Sequence, residues 1–126
     1  GYPFRAKAAL DPYLDAFREV FLQARAIRRC GSAALDLAYT AAGVYDGFFE
    51  FRLSAWDIAA GALLIEEAGG ELCDLDGGGG YLVSGNLLAG CPGVLAGLRV
   101  AIGKHASEAL LEELVPWAGT PAGLLC

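Results

Sequence analysis

Three short stretches of this 126-residue chain put reactive or ligand-holding groups where chemistry can be done. The first is "RRCGSAALD", Arg28 to Asp36. A glycine leading into a helix that starts with serine and alanine leaves backbone N–H groups without intrahelical partners, backed by the positive end of the helix dipole. Small residues at Gly31, Ser32 and Ala33 let a ligand approach the backbone closely, and a hydroxyl-bearing or anionic ligand suits that arrangement. A Gly–Ser cap with alanines for tight packing explains the same residues without any ligand. The second stretch is "GFFEF", where Glu50 ends a strand-like run. Sites collect where strand ends meet helix starts in α/β folds, and a carboxylate there can accept hydrogen bonds from sugar-like hydroxyls. An exposed charge at a strand end is the plain alternative.

The third stretch is "SAWDIAAGALLIEEAGG", with Asp57 behind Trp56 in the first turn of a helix. At N3 a carboxylate is stabilised by the dipole and by unpaired N–H groups, which is a sufficient structural reason for it. An N3 acid can also lean out toward a hard cation, and Mg²⁺ takes oxygen ligands in an octahedron with waters and phosphate oxygens filling the rest. Asp57 can supply one such ligand and cannot hold the ion alone. Glu66 and Glu67 stand about 14 Å further along the helix by its rise per residue, too far to share the ion.

The elements that must position these groups follow from pattern and punctuation. Asp11-Pro12 reads as a helix start, with Leu14, Phe17, Val20, Phe21 and Ala24 at helical period and an end near Ala26. "AIRRC" reads as a short strand leading to Gly31. A helix capped by Gly31 or Ser32 runs to Gly43, with Ala33, Leu37 and Ala41, joined by Ala34 and Ala38, as a small-residue packing face. Gly47 to Phe51 reads as strand. Ser54 and Asp57 approach a capping box, opening a helix to Ala68 that Gly69-Gly70 closes. "ELCDL" reads as strand, Asp76 to Gly80 as a turn, "YLVSG" and "NLLAGC" as strand with Leu87 to Gly90 the core of it, and Pro92 opens a helix to about Ile102. Ser107 caps a last helix over Glu108 to Val115. The alternation predicts an α/β chain (α+β in its segregation), a mixed β-sheet flanked by helices, in one domain over 1–126 with no internal repeat or linker.

Composition bounds the partners. The net charge of −6 argues against a nucleic-acid binder. No apolar run approaches the roughly 20 residues of a membrane span. Cys30, Cys73, Cys91 and Cys126 form no CxxC pair and read as buried thiols in a reducing, cytoplasmic compartment. His105 sits in "GKHASE", a polar linker. The apolar fraction of 56% exceeds the roughly 45–50% usual for soluble domains, so part of the surface is expected to be hidden against a partner or a further domain. The chain contains no Met, which fits a piece excised from something longer.

"WDIAAGALLIEEAGG" resembles the C-terminal signature of the inositol monophosphatase family: Trp-Asp, small and aliphatic residues, then Glu-Ala-Gly-Gly. "RRCGSAALDLAYTAAGVYDGFFE" is similar to the segment before that signature, "GYPFR" to the Gly-Phe/Tyr-Pro-Phe-Arg segment between the family's halves, and "LLAGCPGVLAGL" to its closing strand and helix. The resemblance spans Gly1 to about Leu98. It implies the layered sandwich of the inositol-monophosphatase and fructose-bisphosphatase folds, and a Mg²⁺-dependent phosphomonoesterase that attacks in line with a metal-activated water. It implies that Asp57 is a metal ligand at the substrate, and that Gly31, Ser32, Ala33 and Glu50 touch the polyol. It also implies a homodimer. The family's Gly-Glu-Glu and Asp-Pro-Ile-Asp-Gly-Thr motifs are not in this sequence. The chain therefore resembles the C-terminal half, with no catalytic residue of its own, expected to be inactive without the N-terminal half. Inositol monophosphate is the leading substrate. Histidinol phosphate, fructose bisphosphate or a nucleotide phosphate is the alternative, and a non-catalytic half-domain for assembly or regulation is the second.

Overall fold

The computed structural model describes residues 7–106; residues 1–6 and 107–126, and the side chains of residues 7–9, lie outside the described residues. The GYPFR segment, the helix expected after Ser107 and Cys126 therefore fall outside it. The elements in order are α1 (Lys7–Gln23), α2 (Ala33–Ala41), β1 (Gly47–Glu50), α3 (Ala55–Glu67), β2 (Glu71–Cys73), α4 (Tyr81–Ser84), β3 (Leu87–Gly90) and α5 (Pro92–Gly103).

The three strands form one sheet in the order β1-β3-β2. β3 is the middle strand, antiparallel to β1 with Glu50 opposite Leu87, and antiparallel to β2 with Cys73 opposite Leu88. All four of its residues are buried, because helices cover both faces. Side chains alternate along it as the pleat requires. Leu88 joins Tyr13, Ala16, Val20, Phe51, Leu98 and Ile102 in the layer under α1 and α5. Leu87 and Ala89 join Phe48, Leu37, Ile58 and Ile65 in the layer under α2 and α3. This is the expected α/β arrangement of sheet between helices. The expected mixture of strand directions is not found, since every strand pairing among the described residues is antiparallel.

Three elements differ from the sequence reading. α1 starts at Lys7 rather than after Asp11, with Pro12 inside it. Pro12 cannot donate back to the carbonyl of residue 8, but Tyr13, Ala16 and Val20 fall on one buried stripe and hold the turns on either side in place. The helical period is as expected, yet Leu14 and Phe21 face outward. The helix stops at Gln23, and residues 24–30, expected to include a strand, run without regular structure. "YLVSG" is a single helical turn, α4, not a strand. Its Val83 and Ser84 amides donate to Gly80 O, and Gly85 ends it in the left-handed region at φ 76°. A hydroxyl–carboxylate hydrogen bond from Ser84 to Asp74 fixes that turn, a tertiary contact that overrides the strand propensity of Tyr-Leu-Val.

The cysteines also correct the reading. Cys73 is buried, with its thiol pushed up by burial, but Cys30 and Cys91 are exposed. Cys30 lies on the irregular segment before Gly31, and Cys91 is the N-cap of α5. His105 is half-buried in the turn after α5.

α2 and α3 run side by side in the same direction. They touch where Gly61 meets Leu37; a Cβ on Gly61 would stand 2.5 Å from the Leu37 Cβ, so only glycine allows this approach. Beyond that contact, Thr40 and Gly43 share a cavity of about 270 Å³ with Ile65, Ala68 and Gly69. Both C-terminal ends thus lie at one end of the layer, and both N-terminal ends lie at the other, where Ala33 and Leu53 pack on the same core.

Candidate functional site

The end of the sheet marked by those two helix starts is built from three local structures. β1 ends at Glu50, whose side chain is only 17% exposed and accepts a hydrogen bond from Arg29 Nη2 at 3.4 Å. Arg29 stands two residues before Gly31, so this ion pair ties the entry of α2 to the end of β1.

α2 opens on small groups. Gly31 is left-handed at φ 84°, and nothing stands within 4 Å of the place a Cβ would take. Ser32 is the extended N-cap, and its hydroxyl makes no cap hydrogen bond. The first amides of this helix have no intrahelical acceptor, and the side chains before them are too small to cover them.

α3 opens differently. Ser54 is the N-cap and Asp57 is N3 of a capping box, with Asp57 Oδ2 accepting the Ser54 N–H at 3.0 Å. Among the described residues Oδ1 has no hydrogen-bond partner. Asp57 is half-buried and Trp56 beside it is 72% exposed, so the carboxylate is not sealed under packed hydrocarbon.

The chemistry of this arrangement is divided. One helix start offers N–H donors and a hydroxyl, the strand end offers a carboxylate for hydroxyl donors, and the other helix start offers one hard oxygen. A magnesium ion fits Asp57 as one donor, since Mg²⁺ is held by one or two carboxylates and otherwise by waters and phosphate oxygens. No group of three or more His, Cys, Asp or Glu able to hold a metal exists among the described residues, so the remaining ligands would have to come from elsewhere. A separate groove of about 620 Å³ runs along β1 between α1 and α5, lined by Phe17, Ile27, Phe49 and Leu98. Glu50 lines it; Gly31, Ser32, Ala33 and Asp57 do not.

Sequence reasoning passed over Arg29, Asn86 and Asp36. Arg29 stands inside the quoted "RRCGS" stretch, but only folding shows which carboxylate it meets. Asn86 follows Ser84-Gly85 as ordinary turn residues do. Asp36 lies in the first turn of α2, 9% exposed, and its Oδ1 has no partner among the described residues.

Comparison with known proteins places the chain among relatives of one kind. The sequence pattern described as the inositol monophosphatase family matches residues 4–110. The Nus factor SuhB of Escherichia coli K12 is 46% identical over 110 residues, covering 87% of this chain and 41% of the relative. The crystal structure of the extragenic suppressor protein suhB of Bartonella henselae superposes with a TM-score of 0.74 at 44% identity, covering 76% of this chain and 37% of that one. The staphylococcal SaIMPase-II, crystallised with inositol monophosphate bound, superposes with a TM-score of 0.70 at 26% identity, covering 80% and 40%. The chain spans about two-fifths of the length of these relatives.

Proposed function

The chain belongs to the inositol monophosphatase family, and from that premise we propose that it is the C-terminal portion of a Mg²⁺-dependent phosphatase of small phosphate monoesters, inositol monophosphate first among them. What supports the reading is the topology: β1 ends at Glu50 at the same end of the sheet where α2 starts after Gly31-Ser32 and α3 starts at Ser54. Bound Mg²⁺ supplies charge neutralisation at the phosphoryl oxygens and a lowered pKa for the attacking water. The chain's own residues hold and orient. Asp57 gives one carboxylate oxygen to the ion while its other oxygen stays on the Ser54 amide. The amides after Gly31 and the Ser32 hydroxyl take the polyol's oxygens, and Glu50, held by the Arg29 hydrogen bond, accepts from its hydroxyls.

In this reading the attacking group is a metal-activated water, so turnover requires the polypeptide that supplies the other metal ligands. The outer faces of α2 and α3 support that division. Leu35 and Tyr39 on α2, and Trp56 and Leu63 on α3, are exposed at helical spacing, an apolar surface suited to burial against the remaining portion. No helix of the described residues is long and apolar enough to cross a membrane.

The test is phosphate release by the full-length polypeptide carrying this chain, with inositol, sugar, histidinol and nucleotide phosphates in separate assays and Mg²⁺ varied. Mg²⁺-dependent release, strongest with inositol monophosphate, is expected. A second reading is a non-catalytic role in assembly or regulation; the E. coli relative is named as a Nus factor and not as a phosphatase. Absence of release from every ester would establish that reading in place of the first.

A further inference from the structure

The loop that joins Glu50 to the helix of Asp57 is only Phe51 to Ser54, and it does not hold itself in place. Phe51 is buried beneath it. Arg52 adopts φ 60°, the only non-glycine residue among those described with a left-handed backbone. Such a conformation persists where surrounding contacts fix it. Here the fixing contacts come from the other side of the sheet's end, from the residues that lead into β3. Asn86 Oδ1 accepts the Arg52 N–H at 3.2 Å, and Gly85 O accepts the Leu53 N–H at 2.8 Å. The two backbones lie so close that a Cβ on Gly85 would stand 2.1 Å from Leu53 O.

Asn86 is itself held from behind. It is 4% exposed, and its N–H donates to Ser84 Oγ at 3.1 Å. The Ser84 hydroxyl donates to buried Asp74, whose other carboxylate oxygen accepts the Leu75 N–H at 2.6 Å. Asn86 also precedes Leu87, the residue paired with Glu50 across the β1–β3 ladder. One side chain therefore sits next to the register position of Glu50 and grips the loop that leads to Asp57.

We propose that Asn86 is a positioning residue for this site: by holding the Arg52 amide it sets where Asp57 stands relative to Glu50, and so tunes divalent-ion binding without touching the ion. The proposal rests on the reading of Asp57 as a metal ligand. Outer groups that orient a ligand carry about 10–100-fold in metal affinity.

The experiment compares Asn86→Leu, which has the size but no acceptor, with Asn86→Asp, which keeps an oxygen for the Arg52 amide, in the full-length polypeptide. Mn²⁺ binding is followed by calorimetry, amide hydrogen exchange at Arg52 and Ser54 by mass spectrometry or NMR, and thermal midpoint alongside. Asn86→Leu is expected to weaken Mn²⁺ binding at least tenfold and to speed exchange at Arg52, while Asn86→Asp stays within about threefold of the parent at a comparable loss of thermal midpoint. If both variants lose stability and neither changes Mn²⁺ affinity, or both change it equally, Asn86 serves folding alone and the proposal is overturned. Should Asn86→Leu not fold, Ser84→Ala removes the hydroxyl behind Asn86 and must weaken Mn²⁺ binding in the same direction; unchanged affinity there is equally fatal. A parent that binds Mn²⁺ no better than its Asp57→Asn variant defeats the metal reading itself, and this inference with it.

Discussion

α2 and α3 begin side by side at the same end of the sheet, each with a serine N-cap and an aspartate in the first turn, yet the two aspartates are placed in opposite ways. At α3 the acid closes back on its own helix: Asp57 Oδ2 takes the Ser54 amide, and Oδ1 has no hydrogen-bond partner among the described residues. At α2 the acid turns inward: Asp36 is buried with an oxygen that has no partner among the described residues, and the helix entrance is left to Gly31 and a serine whose hydroxyl makes no cap hydrogen bond. One start presents donors, the other presents a carboxylate. Two parallel dipoles would each draw anions. Placing the acid differently at each leaves uncovered N–H donors at one start and a carboxylate at the other.

The strongest way to break this comparison is Asp57→Asn in the full-length polypeptide. If Asp57 Oδ1 serves an ion, kcat/KM falls about 100-fold or more, the few kcal/mol of charge stabilisation a metal contributes, whereas lost dipole stabilisation alone costs only about 0.5 kcal/mol of folding free energy. Steady-state kinetics beside a urea melt separate the two, and a loss no larger than the melt explains returns Asp57 to a capping role. Leu37→Ala attacks the contact that aligns the helices; emptying a fully buried site is expected to cost about 3 kcal/mol by chemical denaturation. A cost under about 1 kcal/mol would mean that the helix pair is aligned by something else.

Glu50→Gln keeps the shape of the strand end and removes its charge. Losing a charge-assisted hydrogen bond to a substrate hydroxyl is expected to raise KM about tenfold with kcat little changed, and an unaltered KM would leave Glu50 as a partner of Arg29 only. The smallest effect has the opposite sign. Asp36→Asn removes a buried charge whose Oδ1 is unpartnered, and is expected to stabilise the chain by about 1 kcal/mol. A destabilised variant would show that the acid of α2 is paired after all and that the two helix starts are less different than they look.

Much of the local structure around the candidate site was legible before folding. Glycine, serine and alanine ahead of a helix, a carboxylate closing a strand, and Ser-x-x-Asp opening the next helix are local patterns, and each element appears within a residue or two of its expected position. What was not legible depends on partners far along the chain. "YLVSG" has strand-forming residues, but Ser84 reaches Asp74 and the segment coils into one turn. "AIRRC" reads as strand, but the backbone there remains irregular and its arginine answers Glu50 instead. Pro12 marks a helix start by local rules, yet the buried stripe of Tyr13, Ala16 and Val20 carries the helix across it.

The sequence by itself determined the local chemistry: which helix starts are small and open, which acid can box its own cap, where turns must fall, and a family signature dense enough to name. These depend on residues three or four apart, whose meeting is guaranteed by helical and strand geometry. Tertiary structure alone decided that both helix starts face the same end, that Arg29 meets Glu50, and that Asn86 grips the loop between Glu50 and Asp57. Those relations cross 21 to 34 residues. Closing such loops costs entropy that only the packed core offsets, so no local pattern records them.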